Sequence, residues 1–201
     1  MLVDSKGYIK LTDFGLSKMG IAGHREAKSL CGTAEYLSPE MLQRQGHGKA
    51  TDWWSFGAII YEMLVGLPPF YSKDREKLYQ NIKYAEPKLD YNFLSDEARD
   101  LCMKLLHKDP NQRLGSGPTD AEEIKSHPWF IGIDWARVED KSLSPPYQPQ
   151  LEQPDDTKHF LPEFTNLQPS PTEGEGSFQP EGDHQFKGFS YDAEFQMNTA
   201  I

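Results

Sequence analysis

The sequence has few cysteines, no apolar run long enough to cross a membrane and, in its last third, few basic residues. Only Cys31 and Cys102 are cysteines among the 201 residues, and their unrelated contexts predict free thiols. The longest apolar run, Trp53 to Val65, is interrupted by Ser55 and Glu62 and falls short of the roughly 20 residues that span a bilayer. The first residues also lack the features of a secretory signal. We therefore expect a protein without a membrane segment that is cytoplasmic or nuclear.

The net charge of −10 is concentrated towards the carboxy terminus. Residues 1–130 carry 18 acidic and 17 basic side chains, whereas residues 131–201 carry 13 acidic and 4 basic ones, which gives −1 and −9. This balance argues against a nucleic-acid partner, because such binding needs Lys and Arg to replace counterions. Eight of the 15 prolines also follow residue 130, and periodic apolar patterning stops there. We place a domain boundary at this point, with a folded part before it and an extension after it.

The pattern of residues 1–130 predicts few strands and several helices. Met1–Val3 and Tyr8–Leu11 flank a turn and predict a small hairpin. The stretch after Asp52 is apolar on nearly every face and stops at Gly66, which predicts a helix buried on all sides.

Two further helices have recognisable starts. Ser95 followed by two acids predicts a capped, amphipathic helix whose apolar face comprises Ala98, Leu101, Cys102 and Leu105. The stretch Asp120–Glu123 has the form of a capping box and predicts a short helix that ends before Pro128.

Several short motifs occur in a fixed order within residues 1–130. They are Asp13-Phe-Gly15, Cys31-Gly-Thr-Ala-Glu-Tyr-Leu-Ser-Pro-Glu40, Asp52-Trp-Trp-Ser-Phe-Gly57, Gly66-Leu-Pro-Pro-Phe70, Arg113-Leu-Gly115 and His127-Pro-Trp-Phe130. Together they resemble the large lobe of an AGC-type serine/threonine protein kinase, from the residues after its catalytic loop onward. The resemblance implies an α+β protein-kinase fold, here a mainly α-helical large lobe followed by an extended, partly disordered AGC tail.

The resemblance implies ATP and Mg²⁺ as cofactors. Asp13 corresponds to the carboxylate that holds Mg²⁺ against the ATP phosphates, since a hard cation prefers oxygen ligands. Phe14 would pack inward, and Gly15 would give the backbone freedom to move the aspartate. A turn-forming aspartate and a core phenylalanine are the plain structural alternatives.

The resemblance also implies a regulated substrate site. Ser29 occupies the activation-loop phosphorylation position, which an upstream activating kinase would modify, and Lys18 matches a basic partner of that phosphate. Thr33 lies in the segment that lines the substrate site. Glu62 matches a position that receives a basic residue of a protein substrate, although a glutamate on a helix surface is the safer interpretation. An exposed serine is the alternative for Ser29.

Three residues would have structural roles. Glu40 resembles the acid that pairs with Arg113 inside the lobe. Asp52 resembles the acid that braces the catalytic loop from below. Two positions depart from the family pattern: Ala34 stands where proline is usual, and Ser38 where alanine is usual.

Beyond residue 130 the sequence resembles the AGC carboxy-terminal extension. Phe160 and Phe164 match apolar residues that pass near the nucleotide site. The hydrophobic motif follows later, with a serine that can be phosphorylated; it comprises Phe186, Phe189, Ser190 and Tyr191. Ser170 is the candidate turn-motif phosphosite, with Thr172 as its competitor. A disordered tail with scattered aromatics is the alternative, and residues 169–182 have a composition typical of disorder.

Other parts of a kinase have no counterpart in the sequence. There is no G-x-G-x-x-G loop and no H-R-D catalytic loop, and the catalytic aspartate is missing with it. We therefore expect a truncated kinase that is inactive as this chain alone. The alternative is a non-catalytic pseudokinase remnant or binding module.

Overall fold

The computed structural model describes residues 1–21, 23, 26–153 and 155–167. The chain divides into two compact units, Met1–Gln150 and Leu151–Ile201. Within the second unit, the described residues include one helix, Pro162–Thr165, numbered α7 below. The predictions for Ser170, Thr172, the low-hydrophobicity stretch and the hydrophobic motif lie outside the described residues.

The first unit begins with the predicted hairpin, which is confirmed. Strands β1 (Leu2–Val3) and β2 (Ile9–Lys10) pair antiparallel, with Leu2 opposite Lys10. The Asp4 carboxylate fixes the turn, because it accepts hydrogen bonds from the backbone N–H groups of Lys6 at 3.0 Å and Tyr8 at 2.9 Å.

Helices dominate the rest of the first unit, as expected for the large lobe of a kinase. They are α1 (Pro39–Leu42), α2 (Ala50–Val65), α3 (Arg75–Tyr84), α4 (Asp96–Leu105), α5 (Ala121–Lys125) and α6 (Trp135–Glu139). Two short 3₁₀ helices lie at Ala34–Tyr36 and Pro128–Phe130. In the part of the chain that the structure describes, every helix is too short or too polar to cross a lipid bilayer.

Helix α4 forms as predicted. The Ser95 hydroxyl accepts a hydrogen bond from Ala98 N at 3.2 Å, and the predicted apolar face is the buried one. This face packs against α2 at Gly57, where an added Cβ would lie 2.6 Å from the Cβ of Leu105. Only glycine permits that approach, so the motif that ends at Gly57 has a packing role.

Helix α2 forms, but the prediction that it is buried on all sides is wrong. One side carries Trp54, Ala58 and Tyr61 into the core, whereas Asp52 is exposed and the Met63 side chain is 72% exposed. The reason is that the described elements in contact with α2, chiefly α4 and the 3₁₀ helix Ala34–Tyr36, do not surround it.

The other helix starts differ from the predictions in two ways. Helix α3 was not predicted, although Asp74 caps it by accepting hydrogen bonds from Glu76 N and Lys77 N. Helix α5 is present, but Asp120 makes no capping hydrogen bond and has φ of 52°. Its carboxylate instead accepts the indole N–H of Trp53 at 2.8 Å and lies 3.2 Å from Lys49 Nζ.

A buried ion pair joins helix α1 to Arg113, in the segment that follows α4. The Arg113 guanidinium donates two hydrogen bonds to the Glu40 carboxylate, at 2.8 and 2.9 Å, and both side chains are buried. Arg113 also donates to the carbonyl oxygens of Ala50 and His107. Burial disfavours the carboxylate, but the hydrogen bonds and charge of Arg113 outweigh it and hold the pKa of Glu40 below its ordinary value.

We predict that Glu40→Ala lowers the free energy of unfolding by about 3 to 5 kcal/mol, because Arg113 would remain buried without its partner. The double variant Glu40→Leu/Arg113→Met removes both charges and should recover much of this loss. Urea denaturation measures both changes. In the wild type, the contribution of the pair should be lost as the pH falls through the lowered folded-state pKa of Glu40.

The matched control is Glu122→Gln, which breaks the exposed pair between Lys125 Nζ and Glu122 at 2.8 Å. It should leave the free energy of unfolding nearly unchanged, because water screens an exposed ion pair. If the double variant is as unstable as Glu40→Ala, the unpaired charge is not the cause of the loss.

Lys108 lies against the aromatic part of the core. Its Nζ atom is 3.8 Å from the ring centroid of Phe70 and 5.1 Å from that of Trp54, and it donates a hydrogen bond to Ile82 O at 2.8 Å. The ring contacts favour the cation. Burial nevertheless lowers the pKa of Lys108 to about 8, against the opposing charge of Glu86.

We predict that this lysine makes the protein more stable as the pH rises from about 8 towards 10.5, the ordinary lysine value. The unfolded chain holds a proton there that folded Lys108 has released, so raising the pH favours folding. Lys108→Met should flatten the rise, by an amount on the order of 1 to 3 kcal/mol. The measurement is the free energy of unfolding across this pH range. Lys77→Met, at an exposed position of α3, is the control, and an equal slope in both variants would contradict the prediction.

Candidate functional site

A cleft of about 430 Å³ lies where the loop that follows the hairpin meets the start of helix α2. Its lining comes from residues 16–18, from the loop between Ala27 and Leu37, from residues 47–49 and from the first turns of α2. Four of the predicted site residues line this cleft. They are Lys18, Ser29, Thr33 and Asp52.

A backbone bridge holds the far side of this loop. Ala27 and His47 exchange two hydrogen bonds, Ala27 N to His47 O at 3.0 Å and His47 N to Ala27 O at 2.8 Å. Ser29, which is partly buried, lies two residues after the bridge. The bridge therefore fixes the backbone just before the predicted phosphorylation site, Ser29.

The charges around Ser29 suit an anion. Burial lowers the pKa of His47, and the positive charge of Lys18 lowers it further, against Glu40 and Asp52. Lys18 itself is exposed. His47 is thus disfavoured as a cation until a negative group enters the cleft.

Asp52 lies at the opposite wall. Its side chain has solvent access, yet the surrounding atoms exclude enough water to raise its pKa, with His47 as the opposing charge. The structure gives it no hydrogen-bond partner among the described side chains, and its predicted bracing role remains a prediction.

Glu62 is held by a tyrosine. The hydroxyl of Tyr36 donates a hydrogen bond to Glu62 Oε2 at 2.6 Å, and this bond raises the pKa of Tyr36 to about 12. About two helical turns earlier, Ser55 Oγ donates to Tyr36 O at 3.1 Å. Tyr36 therefore sits between the cleft and the predicted acid for a basic substrate residue.

The Asp13-Phe14-Gly15 motif differs from expectation in its backbone and its burial. Asp13 rather than Gly15 has a positive φ, of 64°, a conformation that aspartate tolerates. Phe14 does not pack inward, and its side chain is 67% exposed. Asp13 Oδ1 accepts a long bond, 3.4 Å, from Gly15 N.

The donor chemistry of Asp13 fits a single Mg²⁺ ligand. Mg²⁺ is commonly held by one or two carboxylates together with substrate phosphates and water. Among the described residues, no group of three or more His, Cys, Asp or Glu could hold a metal ion. Asp13 would thus contribute one oxygen ligand, and the others would come from elsewhere.

The tail residues are placed only in part. In the second unit, Phe160 lies just before α7 and is 52% exposed, and Phe164 lies on α7 and is 64% exposed. Their predicted nucleotide contact remains a prediction. Ser170, Phe186, Phe189, Ser190 and Tyr191 lie outside the described residues.

Sequence reasoning missed the residues that fasten the loop. Tyr36 donates to Glu62 and accepts from Ser55, and His47 makes the backbone bridge of the loop. Thr51 contacts Ser38, where the loop ends. The only signal was the spacing of Thr51, Ser55 and Glu62, which places polar side chains on one side of an otherwise apolar helix.

Comparison with known families finds two matches. A profile described as protein kinase domain matches residues 1–130, and one described as protein kinase C terminal domain matches residues 151–191.

Individual relatives agree with this result. The chain is 46% identical to ribosomal protein S6 kinase 2 alpha of Gallus gallus over all of its own length and 26% of that protein. It is 46% identical to ribosomal protein S6 kinase beta of Caenorhabditis elegans, over 95% of the chain and 34% of that protein. Identity to RAC-beta serine/threonine-protein kinase of Rattus norvegicus is 42%, over 98% of the chain and 42% of that protein. The chain thus spans between a quarter and less than half of these relatives, and it belongs to the protein kinase family, in its AGC branch.

Proposed function

We propose that this chain is the large-lobe part of a serine/threonine protein kinase that transfers the γ-phosphate of ATP to protein substrates. The observation that carries the proposal is the cleft, because it gathers Lys18, Ser29, Thr33 and Asp52 from separate parts of the sequence. Ser29 matches the activation-loop phosphorylation position and Lys18 a partner of its phosphate. Thr33 matches the segment that lines the substrate site, and Asp52 the acid that braces the catalytic loop. We further propose that the kinase part ends at residue 130 and the AGC extension follows.

The roles of the residues follow from their chemistry. When bound, Mg²⁺ would neutralise charge on the ATP phosphates, and Asp13 would supply one of its oxygen ligands. Thr33 and the loop around it would hold the acceptor segment in the cleft. Phe160 and Phe164 are proposed to offer apolar contacts near the nucleotide.

The proposed substrates are proteins with basic residues near the phosphorylated serine or threonine. Glu62 is the acid that would receive such a residue, and its bond to Tyr36 uses only Oε2. A cytoplasmic or nuclear location fits such substrates.

Regulation is proposed to act through Ser29 in the loop and Ser190 in the tail. A phosphate adds about −1.5 to −2 charges. At Ser29 it would enter a cleft that Lys18 and His47 also line. Its negative charge would also favour the His47 cation, against the effects of burial and of Lys18 that lower the pKa of His47.

We predict that the parent protein, read upstream of Met1, contains a Gly-rich loop, a strand lysine and an H-R-D loop, and that it phosphorylates a basic peptide. The 201 residues alone should transfer no phosphate, because Asp13 cannot position a γ-phosphate and a hydroxyl by itself. A peptide assay with ATP and Mg²⁺ measures both.

Two results would contradict this proposal. A rate from the 201 residues that disappears with Asp13→Ala would refute the inactivity of the chain. An upstream sequence without the three features would instead favour a non-catalytic binding module.

We also predict that, in the parent protein, Ser29→Ala abolishes most activity, because the loop would lose its charge-assisted bonds. We also propose that Phe186 and Phe189 dock in a groove of the kinase's small lobe and that phosphorylation of Ser190 holds them there. Ser190→Ala, or Phe186→Ala together with Phe189→Ala, should therefore reduce activity, but less than Ser29→Ala. Kinase assays on purified variants, with each phosphosite checked by mass spectrometry, measure these effects.

An exposed serine outside the cleft supplies the control, since Ser126→Ala should leave activity unchanged. Full activity of Ser29→Ala, in a protein whose wild type is stoichiometrically phosphorylated there, would refute the switch. Deletion of residues 183–201 without effect would refute the role of the tail.

A further inference from the structure

Helix α2 presents a polar stripe to the loop that lines the cleft. Thr51, Ser55 and Glu62 are spaced so that they fall on one side of the helix. Two residues, Tyr36 and Ser38, make contact with this stripe from the loop side. Ser38 Oγ lies 3.5 Å from Thr51 Oγ1, and Tyr36 contacts both Ser55, at 3.1 Å, and Glu62, at 2.6 Å. The loop is thus attached to α2 at three points.

Thr51 is the point where this stripe meets the buried ion pair. Its hydroxyl donates a hydrogen bond to Glu40 Oε1 at 2.9 Å. Because a hydroxyl has one proton, Ser38 must be the donor in its contact with Thr51. The order of donation therefore runs from Ser38 to Thr51 to Glu40, and Arg113 donates to Glu40 from the other side.

Ser38 has no competing task. It stands at the cap position of α1, where a serine usually bonds a backbone N–H, but it makes no such bond and is fully buried. Alanine, the usual residue at this position in the resembling family, could not donate to Thr51. The donation from Ser38 through Thr51 to Glu40 therefore depends on the serine of this chain, whereas the Glu40–Arg113 pair does not.

We propose that Thr51 is a positioning residue for the protein substrate, an inference that rests on the proposed kinase function. Its hydroxyl holds Ser38 and, through the backbone, the segment Thr33–Leu37 in the position where that segment lines the cleft. Thr51 is itself buried and acts through the loop. Without this hydroxyl, Glu40 keeps its bonds from Arg113, but Ser38 loses its contact with the first turn of α2. Tyr36 still joins the loop to Ser55 and Glu62, farther along the helix.

The test uses Thr51→Val in the full-length kinase, because valine keeps the shape and removes the hydroxyl. The KM for a basic peptide should rise roughly 3- to 10-fold, the equivalent of one lost hydrogen bond. The KM for ATP and kcat should change by less than about twofold, since the change is confined to peptide positioning. Thr51→Ser should restore the peptide KM, and Thr119→Val, at an exposed threonine, is the matched control.

A second variant separates positioning from stability. Thr51→Val leaves the Ser38 hydroxyl buried without a partner, so it should also lower the unfolding midpoint. Ser38→Ala/Thr51→Val removes both hydroxyls and should recover the part of that loss that comes from the unpaired Ser38 hydroxyl, although the bond from Thr51 to Glu40 stays lost. The peptide KM should nevertheless stay raised in the double variant, because the loop still lacks its attachment to the first turn of α2 and is joined to that helix only through Tyr36. A merely structural role predicts that stability and peptide KM recover together.

The outcomes are decisive in each case. An unchanged peptide KM in folded Thr51→Val, or recovery of the peptide KM in the double variant, overturns the inference. If Thr51→Val does not fold, Ser38→Ala decides, since it must raise the peptide KM in the same direction. An inactive wild type would refute the proposed kinase function instead. In that case, fluorescence anisotropy with a labelled basic peptide tests the inference without turnover. The dissociation constants of the wild type, Thr51→Val and the double variant are then compared in place of their KM values.

Discussion

The charge on Glu40 can remain buried only because Arg113 reaches it with two nitrogens. The same guanidinium donates to Ala50 O, at the start of α2, and to His107 O, just after α4. One side chain therefore joins α1, α2 and the end of α4. Each of those partners would be left unsatisfied if the arginine moved, and this makes the arrangement cooperative. The cleft depends on this arrangement, because its lining includes Met41 of α1 and the first turn of α2.

The second constraint is the contact between α2 and α4. Gly57 allows the helices to approach so closely that Leu105 fills the space a Cβ would need. Trp54, stacked on Phe70 at 5.6 Å, extends the same core on the next turn. With α2 held on this side, its polar stripe is directed at the loop. A helix with one packed side and one polar side can position a loop without any charge on the loop itself.

Sequence patterns predicted the elements whose deciding interactions lie within a few residues along the chain. The hairpin and α4 were predictable because a turn aspartate and a capping serine act within a few residues of themselves. The cap of α5 was not, because Trp53 and Lys49 compete for Asp120 from 67 and 71 residues away, and sequence spacing does not reveal them. Helix α3 was missed although Asp74, Leu78 and Ile82 give it a cap and a buried edge. The burial of α2 was overestimated, since apolar composition does not say which neighbours are present.

In the candidate site, too, sequence motifs did not reveal a partner that is distant along the chain. Motifs identified Glu62 as a possible acid for a basic substrate, but not the tyrosine that controls its orientation. Tyr36 donates to one carboxylate oxygen, and its pKa of about 12 keeps it a donor at physiological pH. The direction of the Glu62 carboxylate is therefore set by a hydrogen bond that does not titrate there. Because Tyr36 is in turn held by Ser55, the acid and the loop that lines the cleft share one support, so a shift of that loop would also reorient the acid.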